Sequence, residues 1–147
     1  MSWASAQDGS NWVRQLDDVA FAHQITAAMD ARGRLLAPAL AQAMADVPGR
    51  RLLDIAGGSE IYATACLDAR PDLRATVVER VPVDAAARAL LADRGYADRV
   101  SVVVGDMFGA LPHGHDLHLL SHTLHDWDED AVRRILGGSF AALSPGG

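Results

Sequence analysis

Four short apolar runs, separated by stretches patterned as helices, constrain this chain more than any other feature. The runs are Arg51–Ile55, Arg74–Glu79, Val100–Val104 and Asp116–Leu120. The helix-patterned stretches are Ile61–Leu67, Val83–Arg94 and Glu129–Leu143, the last with Val132, Ile135, Leu136, Phe140 and Leu143 at helical spacing. Strands alternating with helices in this way build βαβ units and hence a parallel sheet. Continuously apolar strands, as opposed to alternating ones, fit a sheet covered on both faces. The fold class read from this pattern is α/β.

The N-terminal third has a different texture. Residues 1–10 are small and polar and are expected to be disordered. From Trp12, the pattern Val13, Leu16, Val19, Ala20, Ala27 predicts a helix ending near Gly33. A second helix is predicted after it, with Leu35, Leu36, Leu40 and Met44 on one face, broken by Pro48-Gly49. The domain reading is therefore a disordered stretch over 1–10, connecting helices over 11–48, and a ligand-binding domain over 49–147.

Composition excludes several classes. The net charge is −6 and no basic stripe is present, which argues against nucleic acid as a partner. No apolar run is long enough for a membrane helix, and the N-terminus lacks a basic start followed by an apolar stretch. The single cysteine, Cys66, has no internal partner, which fits a reducing, cytoplasmic setting. His113-Gly114-His115 and His118 match no common zinc spacing and have no thiol nearby, so no metal is expected. Pro112 and Gly114 explain that segment as a turn, and His122 reads as a packing residue.

In an open parallel sheet, ligands bind beyond the carboxyl ends of the strands. The first strand here ends in Asp54-Ile55-Ala56-Gly57-Gly58-Ser59-Glu60. Glycines let backbone approach a ligand, and the next helix offers free N–H groups. The same pair of glycines also serves an ordinary turn. The second strand ends in Glu79, about twenty residues on, where an acid can accept from both hydroxyls of a ribose. Turn, spacing and acid together favour a nucleoside ligand. The G-x-G-x-x-G pattern of a nicotinamide-binding domain is absent.

Several of these segments resemble one family. Leu53-Asp54-Ile55-Ala56-Gly57-Gly58-Ser59 resembles the first motif, D-x-G-x-G-x-G, of the S-adenosylmethionine-dependent methyltransferases. Gly105-Asp106-Met107-Phe108 resembles the motif after the third strand. Leu124-His125-Asp126-Trp127 is similar to the L-H-D-W signature of the small-molecule O-methyltransferases that act on plant phenolics and bacterial polyketides. Asp98-Arg99-Val100, the closing Leu143-Ser144-Pro145-Gly146-Gly147, and Phe21-Ala22 through Met29 match as well. The likeness covers about residues 11–147.

The resemblance implies a Rossmann-like methyltransferase fold, with helices on both faces of the sheet and without the C-terminal strands. It implies S-adenosyl-L-methionine as cofactor, with Ala56, Gly57 and Gly58 along its methionine part and Glu79 at its ribose. Asp106 would accept from the adenine amino group, with Met107, Phe108 and Trp127 near the ring. Ser121 would lie near the cofactor and Met29 at the acceptor pocket. His125 would be the general base that takes a proton from the hydroxyl of a small aromatic or polyketide-like acceptor. The expected partners are that acceptor and either a second copy of the chain or a fuller homologue.

Two departures from the family pattern stand out. Ala56 and Glu60 replace glycines of the first motif. Glu60 would bring a negative charge near the cofactor's carboxylate and weaken binding on the order of tenfold to several hundredfold. Pointed to solvent, it would instead favour the helix N-terminus through the dipole. The sequence also stops where the family's fifth strand begins. That predicts an apolar edge at Asp116–Leu120 and an inactive remnant as the alternative to an enzyme.

Overall fold

The computed structural model describes residues 14–147. The expected disordered segment 1–10 and the helix start at Trp12 lie outside the described residues. The elements run α1 (Val19–Ala43), β1 (Arg51–Ile55), α2 (Ile61–Ala69), β2 (Arg74–Glu79), α3 (Val83–Asp93), β3 (Val100–Val104), β4 (Leu117–Leu119) and α4 (Glu129–Ala142), with a short 3-10 turn at Leu124–Asp126 before α4. The four strands form one sheet in the order β3-β2-β1-β4, and every pairing is parallel.

Strand parity sorts the core into two layers, because successive side chains point to opposite faces. Leu52, Ala75, Val77 and Val100 face α2 and α3, packing with Ala63, Cys66, Leu67 and Leu91. Leu53, Ile55 and Val78 face the other way, against Leu111 and Ala142. The sheet is thus covered on both faces at β1 and β2. At β3, however, Val103 and Val104 are exposed, so an apolar run there does not mean cover on both sides.

The N-terminal helices differ from expectation. α1 is one continuous helix, capped by the Asp18 carboxylate accepting from the Phe21 N–H. Gly33 does not end it. A Cβ at Gly33 would fall 2.1 Å from Ile61 Cγ2, so its missing side chain is what lets α1 close on α2. The buried stripe is consequently Ala22, Thr26, Asp30, Gly33, Ala37 and Ala41. Leu35 and Leu36, expected inside, are exposed, while Leu40 and Met44 pack at the margin of the first core layer.

Two further features bear on the edges. β4 is three residues long, and Asp116 clamps its start to β1 by accepting from the N–H groups of Arg50 and Arg51 at 2.9 and 3.1 Å. It is an edge strand, as the sequence predicts. Beyond α4, Leu143 forms an isolated parallel bridge with His115, and Ser144 N–H donates to the His115 carbonyl at 2.9 Å. α4 buries Ile135, Ser139 and Ala142, whereas Leu136 and Phe140, expected on the packed face, are exposed.

Candidate functional site

The chain builds β1, β2 and β3 outward in one direction, then returns across β1 to place β4 on its other side. This reversal makes a crevice at the carboxyl ends of β1 and β4. The loop Ala56–Glu60 lies there. Three of its five residues occupy the left-handed region: Ala56 at φ 58°, Gly58 at φ 68° and Glu60 at φ 61°. Only one of the three is a glycine, so Ala56 and Glu60 are held in a conformation unfavourable to L-residues.

Gly58 presents an open face, with nothing within 4 Å of where a Cβ would stand. Its N–H donates to Glu79 Oε1 at 2.7 Å, and Arg80 N–H donates to Glu79 Oε2 at 3.2 Å. Gly57 is closed from below. A Cβ on it would lie 2.5 Å from Asp54 Oδ2 and 2.8 Å from Glu60 Oε2. The two carboxylates therefore converge beneath the same peptide.

Glu60 is fully buried, which overturns the solvent-facing reading of that residue. It lies under the loop beside Asp54 at 0% exposure for both, away from the open face of Gly58. None of the four oxygens of this pair has a hydrogen-bond donor. Burial first, and then the charge on Glu79, pushes the Asp54 carboxyl up to about 8. Burial, with the charges of Asp54 and Glu79, pushes Glu60 up as well, opposed by Arg94. Glu79 rises to about 7 through burial, against the pull of its two N–H donors.

Arg94 is held by two partners. It donates to Asp30 Oδ1 of α1 at 2.6 Å and to the Ser59 carbonyl at 3.3 Å. α1 thereby helps position the glycine loop. Met29, the expected acceptor-pocket residue, is half-buried on α1 beside Asp30.

The ends of β2 and β3 form an open cleft of about 350 Å³, lined by Arg80, Val81, Val104, Gly105, Asp106, Met107 and Phe108. Asp106 Oδ1 accepts from Phe108 N–H at 2.9 Å, and its side chain stands at the exposed rim. Met107 also packs against the second core layer. Phe108 meets Trp127 edge to face at 4.7 Å between ring centres, with the Arg134 guanidinium 5.1 Å from the Phe108 ring centre.

The segment after β4 carries Ser121, His122 and His125. The Ser121 carbonyl accepts from the Thr123 hydroxyl, which also reaches the Ile55 carbonyl. His125 is exposed, with Nε2 3.3 Å from Asp126 Oδ1. His122 has φ 53° and is hydrogen-bonded through Nε2 to the Tyr62 hydroxyl at 2.8 Å. His115 is pinned inward by Thr76 Oγ1 at 2.9 Å and the Pro112 carbonyl. Among the described residues, no group of three or more His, Cys, Asp or Glu side chains is arranged to hold a metal ion.

The structure brings Ala56, Gly57, Gly58 and Glu79 into one loop-and-strand edge. It places Asp106, Met107, Phe108 and Trp127 around the neighbouring strand end. Sequence reasoning missed the convergence of Asp54 with Glu60, the Asp30–Arg94 pair and the Tyr62–His122 bond. An acid inside an apolar strand was a visible signal for Asp54. Pairings between residues sixty positions apart left no trace.

The whole of residues 1–147 matches the O-methyltransferase domain family. The chain belongs to that family. The mitomycin biosynthesis 6-O-methyltransferase of Streptomyces lavendulae is 48% identical over 93 residues, which is 63% of this chain and 27% of that protein. Aclacinomycin 10-hydroxylase RdmB of Streptomyces purpurascens is 38% identical over 136 residues, 92% of this chain and 36% of that protein. Among solved structures, the O-methyltransferase NcsB1 of neocarzinostatin biosynthesis, in complex with S-adenosylmethionine and 2-hydroxy-5-methyl naphthoic acid, superposes with a TM-score of 0.78 at 30% identity. That match covers 92% of this chain and 42% of NcsB1. The chain thus spans between about a quarter and two fifths of the length of these relatives. No described helix is long and apolar enough to cross a membrane.

Proposed function

We propose that this chain is the cofactor-binding part of an S-adenosylmethionine-dependent O-methyltransferase, acting on a hydroxyl of a small aromatic or polyketide-like molecule. The observation that carries the reading is the Glu79 carboxylate under the open Gly58 turn at the end of β2. Each Glu79 oxygen accepts one backbone N–H and keeps a lone pair for a hydroxyl of the ligand. The residues present fit the group. Gly58 leaves room for backbone-close approach, Glu79 suits a ribose diol, and the cleft beside Asp106, Met107 and Phe108 suits a flat base. Trp127 borders the same region through its edge-to-face contact with Phe108, and Ser121 is assigned to it on the family resemblance. Bound there, S-adenosylmethionine supplies an electrophilic methyl on a sulfonium.

The chain's own part in the reaction is to align the acceptor and remove its proton. His125 is exposed, and Asp126 Oδ1 stands 3.3 Å from Nε2, which leaves Nδ1 to take the proton from the acceptor hydroxyl. Met29, half-buried on α1, bounds the acceptor side. The acceptor is the expected small-molecule partner, and a second copy of the chain or a fuller homologue is the proposed protein partner.

A second reading, a catalytically inactive remnant, is supported by the donorless acid pair beneath the loop. The test is transfer of labelled methyl from S-adenosylmethionine to a hydroxylated naphthoate. Enzyme predicts product, reduced by about a hundredfold or more in His125→Ala. Absent product with retained binding of S-adenosylhomocysteine selects the remnant.

A further inference from the structure

The segment that carries His125 hangs beyond a strand of only three residues, so β4 itself does little to fix it. Two side chains tie it back. Thr123 Oγ1 reaches the end of β1 at the Ile55 carbonyl. The other tie is the 2.8 Å bond between His122 Nε2 and the Tyr62 hydroxyl.

Tyr62 is the second residue of α2, two positions after Glu60 and four after Gly58. It is buried, and its ring lies 5.4 Å from that of His122. His122 sits at φ 53°, a conformation that persists in a non-glycine residue only where its surroundings hold it. Its ring meets His125 edge-on at 6.0 Å, near perpendicular. A continuous path therefore runs from the glycine loop through the first turn of α2 to Tyr62, His122 and His125.

We infer that Tyr62 and His122 are positioning residues, a clasp that sets the orientation of the His125 ring from the position of the glycine loop. The inference rests on reading the loop as a cofactor site and His125 as the base. Burial keeps His122 neutral, with the Arg32 guanidinium on α1 and the neighbouring His125 acting in the same direction and Asp126 opposing them. A neutral His122 in its Nδ1–H tautomer accepts the Tyr62 O–H at Nε2, and in the other tautomer donates to the Tyr62 oxygen; either bond fixes its ring, which presents an edge to His125. A cofactor that settles the loop then settles the base as well.

The experiment compares the unmodified chain with Tyr62→Phe, which removes one hydroxyl and keeps the ring, and with His122→Asn, which tolerates positive φ. NMR follows the His125 ring and the Trp127 indole across pH, with and without S-adenosylhomocysteine. In both variants the clasp predicts a displaced His125 titration midpoint and a His125 response to ligand reduced by about half or more. Ligand affinity should stay within about threefold, because the clasp acts on the His125 ring and both substitutions leave Gly58 and Glu79 unchanged. In a turnover assay kcat falls about tenfold with KM for the cofactor unchanged. An identical His125 midpoint and response in either folded variant overturns the clasp. If the ligand perturbs neither variant nor parent, the cofactor reading fails, and the midpoint of the ligand-free chain still decides the clasp.

Discussion

Replacing Glu60 by glutamine removes one carboxylate from the donorless pair and adds an N–H directed at Asp54. Both carboxyls titrate higher in the folded chain than in the unfolded one. Their contribution to stability is therefore whole below the unfolded values, near pH 4, and is lost as pH rises through the folded ones. For Asp54 that loss runs from 3.8 to about 8, with Glu79 following at about 7. At about 1.4 kcal/mol per pH unit, ionising Asp54 alone sets an upper figure of about 6 kcal/mol, which water entering the loop reduces. A glutamine amide supplies the missing donor, and satisfying a buried acceptor is worth about 1–3 kcal/mol. Glu60→Gln should thus raise stability by about 2 kcal/mol near pH 8.5, or about 4–8 °C in Tm, and change it little near pH 4. Urea unfolding followed by circular dichroism at the two pH values measures this. Equal stabilities of the two proteins near pH 8.5, or a gain confined to acid pH, would refute the buried-pair argument.

Gly33→Ala forces a Cβ to within 2.1 Å of Ile61 Cγ2 and should destabilise the α1–α2 contact by about 2–3 kcal/mol, read in the same urea assay. Asp128→Ala removes the carboxylate that accepts from Ala131 N–H at 2.9 Å at the start of α4. It should cost about 1 kcal/mol and leave ligand binding at the glycine loop unchanged.

The strands and their order of appearance were legible in the sequence because buried parallel strands are continuously apolar and their ends carry glycine or acid. Arg51–Ile55, Arg74–Glu79 and Val100–Val104 fall where the pattern places them. The helical connection was not legible. Gly33 looked like a stop, yet it is a contact point, and only the packed structure distinguishes those roles. The same blindness hid which face of α1 is buried: a stripe of small residues carries a weaker signal than Leu35 and Leu36, which lie outside.

The site was legible as a set of strand ends and not as an arrangement. The glycine turn and Glu79 were suggested by spacing, and a Gly58–Glu79 bond joins them; the place of Ala56 in the motif came from the family resemblance alone. The side-chain direction of Glu60 could not be read. A left-handed φ turns it under the loop, and a one-dimensional pattern carries no φ. Tyr62 and His122 meet across sixty positions with no local motif to signal it.

The central claim is that Glu79 and the Gly58 turn form a nucleoside-cofactor half-site. Calorimetric titration of S-adenosylhomocysteine into this chain and into Glu79→Gln tests it most directly. The account predicts binding with Kd on the order of 10–100 μM, weakened about tenfold or more in the variant, since a glutamine loses one charge-assisted acceptor for the ribose diol. Equal affinity in the two proteins, or no binding to the folded parent chain, would contradict it.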